Sequence, residues 1–230
     1  GLHLEGPWIA ADAAGAQPPE GIRDCSLVEA RQLLERAHGL VRMVTLAPEL
    51  PGAAVLLAEL GRRGVVAALG HSQATVTQVE QAVTQGARHV THLWNAMSGL
   101  HHRAPGLAGA ALADDRLSCD LICDGVHVHP AAVRLAARAK GERLLLITDR
   151  VSAGTGFGTG ALVDDGTALR LADGRLAGSR LTLDRALRNA VSFGAMTQLE
   201  AVAAVTLRPA RLLGLEHERG TLRPGARADL

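Results

Sequence analysis

Glu5, His71, His92 and Asp149 each stand at or just past the end of a short apolar run: G-L-H-L-E-G-P (Gly1 to Pro7), V-V-A-A-L-G-H-S (Val65 to Ser72), H-V-T-H-L-W-N (His89 to Asn95) and L-L-L-I-T-D (Leu144 to Asp149). If those runs are parallel strands of one sheet, their C-terminal ends lie together and the four side chains converge. Carboxylate and imidazole are ligands for a divalent metal, which leaves a second carboxylate to act as a base. Glu5 lies between Leu4 and the turn-forming Gly6-Pro7; a carboxylate there is costly to bury unless it is paired or ligating. Taken singly it could be a structural salt bridge or a helix cap. His89 and His92 sit in one element at a spacing that sends them to opposite faces, so His92 is the inward ligand and His89 a support.

Other motifs carry weaker chemistry. In D-G-V-H-V-H-P (Asp124 to Pro130), one histidine can reach into a pocket while the other caps the following helix. His101 and His102 lie in a polar loop without ligand spacing. G-T-G-F-G-T-G (Gly154 to Gly160) is neither a dinucleotide fingerprint nor a lysine-bearing phosphate loop and reads as a flexible loop. No G-x-S-x-G elbow is present, which removes the usual serine hydrolase arrangement.

The elements that must hold these residues alternate. Helical spacing covers 27–38, 51–63, 75–85 and 130–140, with Pro51 expected at N1 of its helix and Thr75 or Ser72 capping the next. Between them lie apolar runs at 41–47, 65–69, 89–93, 119–124 and 144–148, which read as buried parallel strands with crossover helices, in a barrel or a doubly wound sheet. Beyond residue 150 the pattern changes to short strands at 161–164, 168–172 and 175–177, separated by Asp165-Gly166 and Asp173-Gly174. Helices at 182–193 and 198–213 follow, and the tail from Arg219 looks like the start of a strand pair.

Composition excludes several functions. The chain has 230 residues, 47% of them hydrophobic, a formal net charge of +1 and only 2% aromatic side chains. It is therefore expected to fold, and it lacks the basic block and aromatic platform that nucleic acid binding uses. Cys25, Cys119 and Cys123 include no C-x-x-C pair and read as core thiols in a reducing cytoplasm. No apolar run is long enough to span a membrane.

Considered together, several stretches resemble the N-acetylglucosamine-6-phosphate deacetylase family of the metal-dependent amidohydrolases. They are H-L-E-G-P-W (His3 to Trp8), T-L-A-P-E (Thr45 to Glu49), G-H-S (Gly70 to Ser72), T-H-L-W-N-A-M (Thr91 to Met97), P-G-L-A-G (Pro105 to Gly109), D-G-V-H-V (Asp124 to Val128), Thr148-Asp149, L-A-G-S-R-L-T (Leu176 to Thr182) and G-T-L-R-P-G-A-R-A-D-L (Gly220 to Leu230). The resemblance implies an α/β fold, a (β/α)₈ TIM-type barrel lacking its N-terminal strand region, with part of a small β-sandwich accessory domain. On that division residues 1–213 form the barrel, interrupted by a β-rich segment near 161–177, and 214–230 begin the accessory domain's C-terminal part. It implies one divalent metal ion per site on Glu5, His71 and His92, zinc with Fe²⁺ as competitor, and Asp149 as the base that later protonates the leaving amine. Asn95, the Ala96 amide and His127 would hold a sugar phosphate, and Arg103 would reach the neighbouring site of a homodimer. The implied reaction is deacetylation of N-acetylglucosamine 6-phosphate; the alternatives are another acylated amino sugar, a cyclic amide, or non-catalytic sugar-phosphate binding.

Three departures accompany the resemblance. Gln17, in G-A-Q-P-P (Gly15 to Pro19), stands where the family has a histidine that polarises the acetyl carbonyl; glutamine donates a hydrogen bond but cannot be cationic. Arg150 replaces a small residue beside Asp149, where it would narrow the pocket or pair with a carboxylate. The family's first strand with its His-x-His-like segment is absent, so the chain is expected to be part of a longer protein.

Overall fold

The computed structural model describes residues 1–151 and 162–227. Its centre is a six-stranded parallel sheet of β1 (Leu2–Glu5), β2 (Val41–Leu46), β3 (Val66–Leu69), β4 (Ala87–Val90), β5 (Ser118–Ile122) and β6 (Leu144–Ile147), hydrogen-bonded in chain order. Consecutive order without reversal is the topology of a barrel wall rather than of a doubly wound sheet, which places a strand-order switch at its middle. The wall is curled but incompletely closed: β1 and β6 are its two edges. A cavity of about 410 Å³ lies in its interior near these edges, lined by His3, Met43, Asp120, Leu146 and Leu183 among others.

The helices form as the sequence predicts, with instructive exceptions. α1 (Leu27–Arg36) is capped by Ser26, and α2 (Ala53–Arg62) starts from Gly52, which stands at its N-cap with a left-handed φ of 82°. Pro51 therefore precedes the helix instead of occupying its first turn. Of the two candidate caps for α3 (Val76–Thr84), Thr75 forms a capping box with Gln78, while the Ser72 hydroxyl donates to Glu49 at 2.6 Å. Hydrophobic periodicity does not reveal α4 (Gly106–Ala113), whose sequence is G-L-A-G-A-A-L-A. It is buried from Gly106 to Ala111, and a helix apolar on all sides shows no amphipathic period.

α5 (Pro130–Lys140) carries Pro130 in its first turn and His129 as its cap. After α6 (Leu183–Ser192), the single helix expected at 198–213 divides into α7 (Gln198–Val205) and α8 (Leu207–Leu212). Pro209 has no N–H to offer the Val205 carbonyl, so the α-helical ladder breaks there. The accessory strands β7 (Val163–Asp164), β8 (Ala168–Arg170) and β9 (Leu176–Ser179) form a small antiparallel sheet. The glycine-rich stretch 154–160 lies outside the described residues. From Gly214 to Arg227 the chain runs through turns and bends and forms no strand.

Core packing follows from strand burial on both faces. Val44, Leu46, Leu69, Val90, Leu121 and Ile122 are all essentially inaccessible, and the core between sheet and helices is filled chiefly by Leu, Val and Ala. Cys119 and Cys123 belong to this core, where burial pushes each thiol up to about 12. They are inert apolar fillers rather than nucleophiles. Cys25 is half-buried, also with its thiol pushed up to about 12, and all three cysteines are free.

Candidate active site

The parallel wall brings its C-terminal strand ends to one rim. Glu5 closes β1, and His71, His92 and Asp149 each stand two residues beyond the last residue of β3, β4 and β6. Each of those three has a left-handed backbone, with φ of 47°, 34° and 46°; Ala96 (48°) and Trp94 (83°) join them. Such conformations are costly for side-chain-bearing residues, and here they cluster where the chain must turn sharply inward from a strand end. Gly70 makes the His71 turn sterically feasible, since a Cβ there would lie 2.9 Å from Thr45 Cγ2 and 3.2 Å from Thr91 Cβ.

Three ligand atoms meet at one point. Glu5 Oε1 is 2.6 Å from His71 Nε2 and 2.8 Å from His92 Nε2, and the two ring nitrogens are 3.0 Å apart. His71 Nδ1 faces the Ala13 carbonyl at 2.8 Å, so this nitrogen must carry a proton and donate it. A neutral His71 then presents a bare lone pair at Nε2 to a carboxylate oxygen. Two acceptors at that distance require a cation between or upon them. A divalent metal fits this donor set, and the carbonyl that fixes the ring is the usual second partner of a ligating histidine. No other group of three or more potential ligands is found among the described residues.

The electrostatics express the same frustration. Burial pushes Glu5 up, but the proximity of the His71 and His92 rings outweighs it and holds the carboxylate below its usual range. Burial likewise lowers His92, yet the Glu5 hydrogen bond and the charges of Glu5, Asp149 and Asp120 raise it to about 9. Asp149 is shifted upward, first by burial and then by the negative charge of Glu5, against the opposing charges of His92 and His127.

Behind the ligands lies a buried polar support. The Asp120 carboxylate accepts the His92 backbone N–H with one oxygen and faces His89 Nε2 at 2.9 Å with the other. His89 is thus the supporting histidine, linked to His92 through Asp120. Asp120, which sequence reasoning missed, had no signal beyond being a carboxylate inside the apolar run C-D-L-I-C (Cys119 to Cys123).

In front of the ligands a cavity of about 320 Å³ is lined by Glu5, Gln17, His71, His92, Asn95, Ala96, His127 and Asp149, with Arg175 and β9 on its far side. His127 is held by Asp124, whose carboxylate lies 2.6 Å from Nδ1, which turns the Nε2 edge outward from that pair. Gln17 enters on a loop anchored at two points just before it: the Ala13 carbonyl accepts from His71, and the Gly15 carbonyl accepts from Arg175 Nη1 at 2.7 Å. Arg175 comes to this wall from the β8–β9 hairpin, a contact 160 residues away in sequence that no local motif could announce. Arg103 is exposed and lies outside this cavity, its Nη1 2.8 Å from His102. Arg150 is also exposed; it neither lines the cavity nor forms an ion pair among the described residues, so it meets neither expectation set for it.

A strand-end cluster of two histidines and a glutamate, with an aspartate across the pocket, is the arrangement that metal-assisted hydrolysis needs. The sequence model of the Amidohydrolase family matches residues 1–230. The chain belongs to that family. It is 42% identical over 236 residues to N-acetylgalactosamine-6-phosphate deacetylase of Escherichia coli O157:H7, covering 100% of this chain and 63% of the relative. It is 41% identical over 244 residues to N-acetylglucosamine-6-phosphate deacetylase of Danio rerio, covering 100% and 60%. Among solved structures it resembles a mutant N-acetyl-D-glucosamine-6-phosphate deacetylase from Mycobacterium smegmatis in complex with N-acetyl-D-glucosamine-6-phosphate. That match has a TM-score of 0.90 at 38% identity and covers 99% of this chain and 62% of the other. The chain therefore spans about three fifths of the length of these relatives.

Proposed function

We propose that the protein containing this chain removes the acetyl group from N-acetylglucosamine 6-phosphate by metal-assisted hydrolysis, giving glucosamine 6-phosphate and acetate. The observation that carries this reading is the Glu5–His71–His92 cluster facing Asp149 across one cavity. A divalent ion on those three ligands, zinc with Fe²⁺ as competitor, supplies Lewis acidity that polarises the amide carbonyl and acidifies a water. Asp149, half-buried at the cavity wall, accepts the proton of the attacking water and returns it to the departing nitrogen. Gln17 supports the carbonyl oxygen as a neutral donor. Asn95, the Ala96 amide and His127 line the same cavity and serve as fixed donors for the sugar phosphate. Arg103, exposed on its loop, is free to complete the neighbouring site in a homodimer.

On the same reading residues 1–213 are the barrel, with the β-rich segment inserted, and 214–230 begin the accessory domain's C-terminal part. Three free thiols suit a cytoplasmic setting. Among the described residues no helix is long and apolar enough to cross a membrane.

A second reading has its own support. The relative that acts on a galactosamine derivative is as similar to this chain as those named for glucosamine, and hexosamine epimers differ at one hydroxyl. Acetate release by the full-length, metal-loaded protein, measured on both N-acetylhexosamine 6-phosphates, decides. Faster turnover of the galactosamine substrate would replace the first reading by the second, and no release from either would reject both.

A further inference from the structure

At the opposite end of the wall the sheet holds a second, differently charged cavity. It has a volume of about 550 Å³ and is lined by Arg88, Arg116, Arg143, Arg208, Arg211 and Glu142. Val66 and Ser118, the first residues of β3 and β5, also line it, which places it at the N-terminal strand ends. Arg116 is neutralised by Asp114 at 2.6 Å, and Arg211 has Glu142 at 3.5 Å. Arg88, Arg143 and Arg208 have no ion-pair partner among the described residues. Arg208 is only 6% exposed and donates to the Leu144 carbonyl at 2.8 Å.

In a chain of net charge +1 this concentration of guanidinium groups is a local excess. Collecting like charges in a concavity costs energy unless an anion offsets them. Planar forks around a pocket of ligand size suit phosphate oxygens, which they can engage in pairs.

The cavity also touches the buried support of the catalytic cluster. Ser118 Oγ is 2.8 Å from His89 Nδ1, His89 Nε2 is 2.9 Å from Asp120, and Asp120 accepts the His92 N–H. A continuous hydrogen-bonded chain thus runs along β4 and β5 from one cavity to the other.

We propose that the arginine-lined cavity is a second binding site, for a small phosphate-bearing molecule, and that the Ser118–His89–Asp120–His92 chain couples it to the metal cluster. The proposal deepens the catalytic reading in that its second half rests on His92 being a ligand; the first half stands alone. The test uses inorganic phosphate and the full-length, metal-loaded protein carrying His127→Ala, so that loss of phosphate at the catalytic cavity is scored separately. Calorimetry should show one remaining phosphate per chain, weakened about tenfold or more in Arg88→Ser/Arg143→Ser, as expected for lost charge-assisted hydrogen bonds. Arg143→Lys, which keeps the charge on an exposed side chain, should bind within about threefold of the parent. Absent phosphate binding, or binding unchanged by Arg88→Ser/Arg143→Ser, would overturn the site; the former is the outcome if an acidic part of the full-length protein fills the cavity. In the otherwise wild-type protein, saturating phosphate should change the metal dissociation constant about fivefold, and Ser118→Ala should abolish that change. An equal change in Ser118→Ala, or no change in the wild type, would overturn the coupling while leaving the site.

Discussion

His71 Nε2 lies 2.6 Å from Glu5 Oε1 while the Nδ1 of the same ring is committed to the Ala13 carbonyl. The ring is thereby fixed with its lone pair toward a carboxylate, an arrangement that only a bound cation or a second ring proton makes favourable. Ligand replacement tests which it is. His71→Ala should reduce bound metal from about one ion per chain to a small fraction of that, a loss exceeding the roughly 10–100-fold typical when only a ligand's hydrogen-bond partner is removed. Metal analysis after dialysis measures it, and unchanged stoichiometry would exclude His71 as a ligand.

Asp149→Asn should retain the metal and lose roughly 10²–10⁴-fold in kcat, the range for removing a general base. The pH profile of kcat/KM gives an independent reading. Burial raises Asp149 above the ordinary aspartate value of 3.8, and only the ionised form accepts a proton. Activity should therefore fall as pH drops through an acid limb above that value. A profile flat down to about pH 4 would remove Asp149 from this role.

Arg103→Ala should raise KM for the phosphorylated sugar by about tenfold with little change in kcat, as for a group that binds ground and transition states alike. Comparison with the unphosphorylated sugar supplies the control. Equal losses on both substrates would assign Arg103 to assembly or folding.

Glu59 offers a stability prediction away from the site. Hydrogen bonds from Arg31 and Arg63 lead in holding its carboxylate down at about 2, against an ordinary 4.5. A depressed folded-state value contributes stability that is complete above the unfolded value and disappears as pH falls through the folded one. Glu59→Gln should thus lower Tm at neutral pH, and the difference from wild type should shrink as pH falls from 4.5 to about 2. A pH-independent difference would mean that packing, not charge, is what Glu59 contributes.

Much of the candidate site was legible because ligand-type side chains at strand ends leave a local mark: a polar residue abruptly closing an apolar run. Glu5, His71, His92 and Asp149 all carry it, and the βα alternation implied that their strand ends are neighbours. Gln17, Asn95 and Ala96 became candidates only through the resemblance to known deacetylases, which also chose His127 over His129 as the pocket histidine, and all four line one cavity. Asp120 and Arg175 were invisible, since a carboxylate inside a strand and an arginine in a hairpin look like ordinary residues until their partners are known.

By itself, then, the sequence determined the alternation of strands and helices, the candidate caps of α3 and α5, the inert thiols and which polar residues stand at strand ends, because these depend on periodicity and nearest neighbours. Tertiary structure decided what depends on long-range closure. It set the unreversed strand order, folded the uniformly apolar α4 into the core, divided α7 from α8 at Pro209, and gathered three ligand atoms from β1, β3 and β4 within 3.0 Å of one another. It also massed arginines from β4, α8 and the segments entering β5 and β6 around a single cavity. Those outcomes rest on distances between residues such as Glu5 and His92, 87 positions apart in the chain, and nothing in a local window of sequence encodes such a distance.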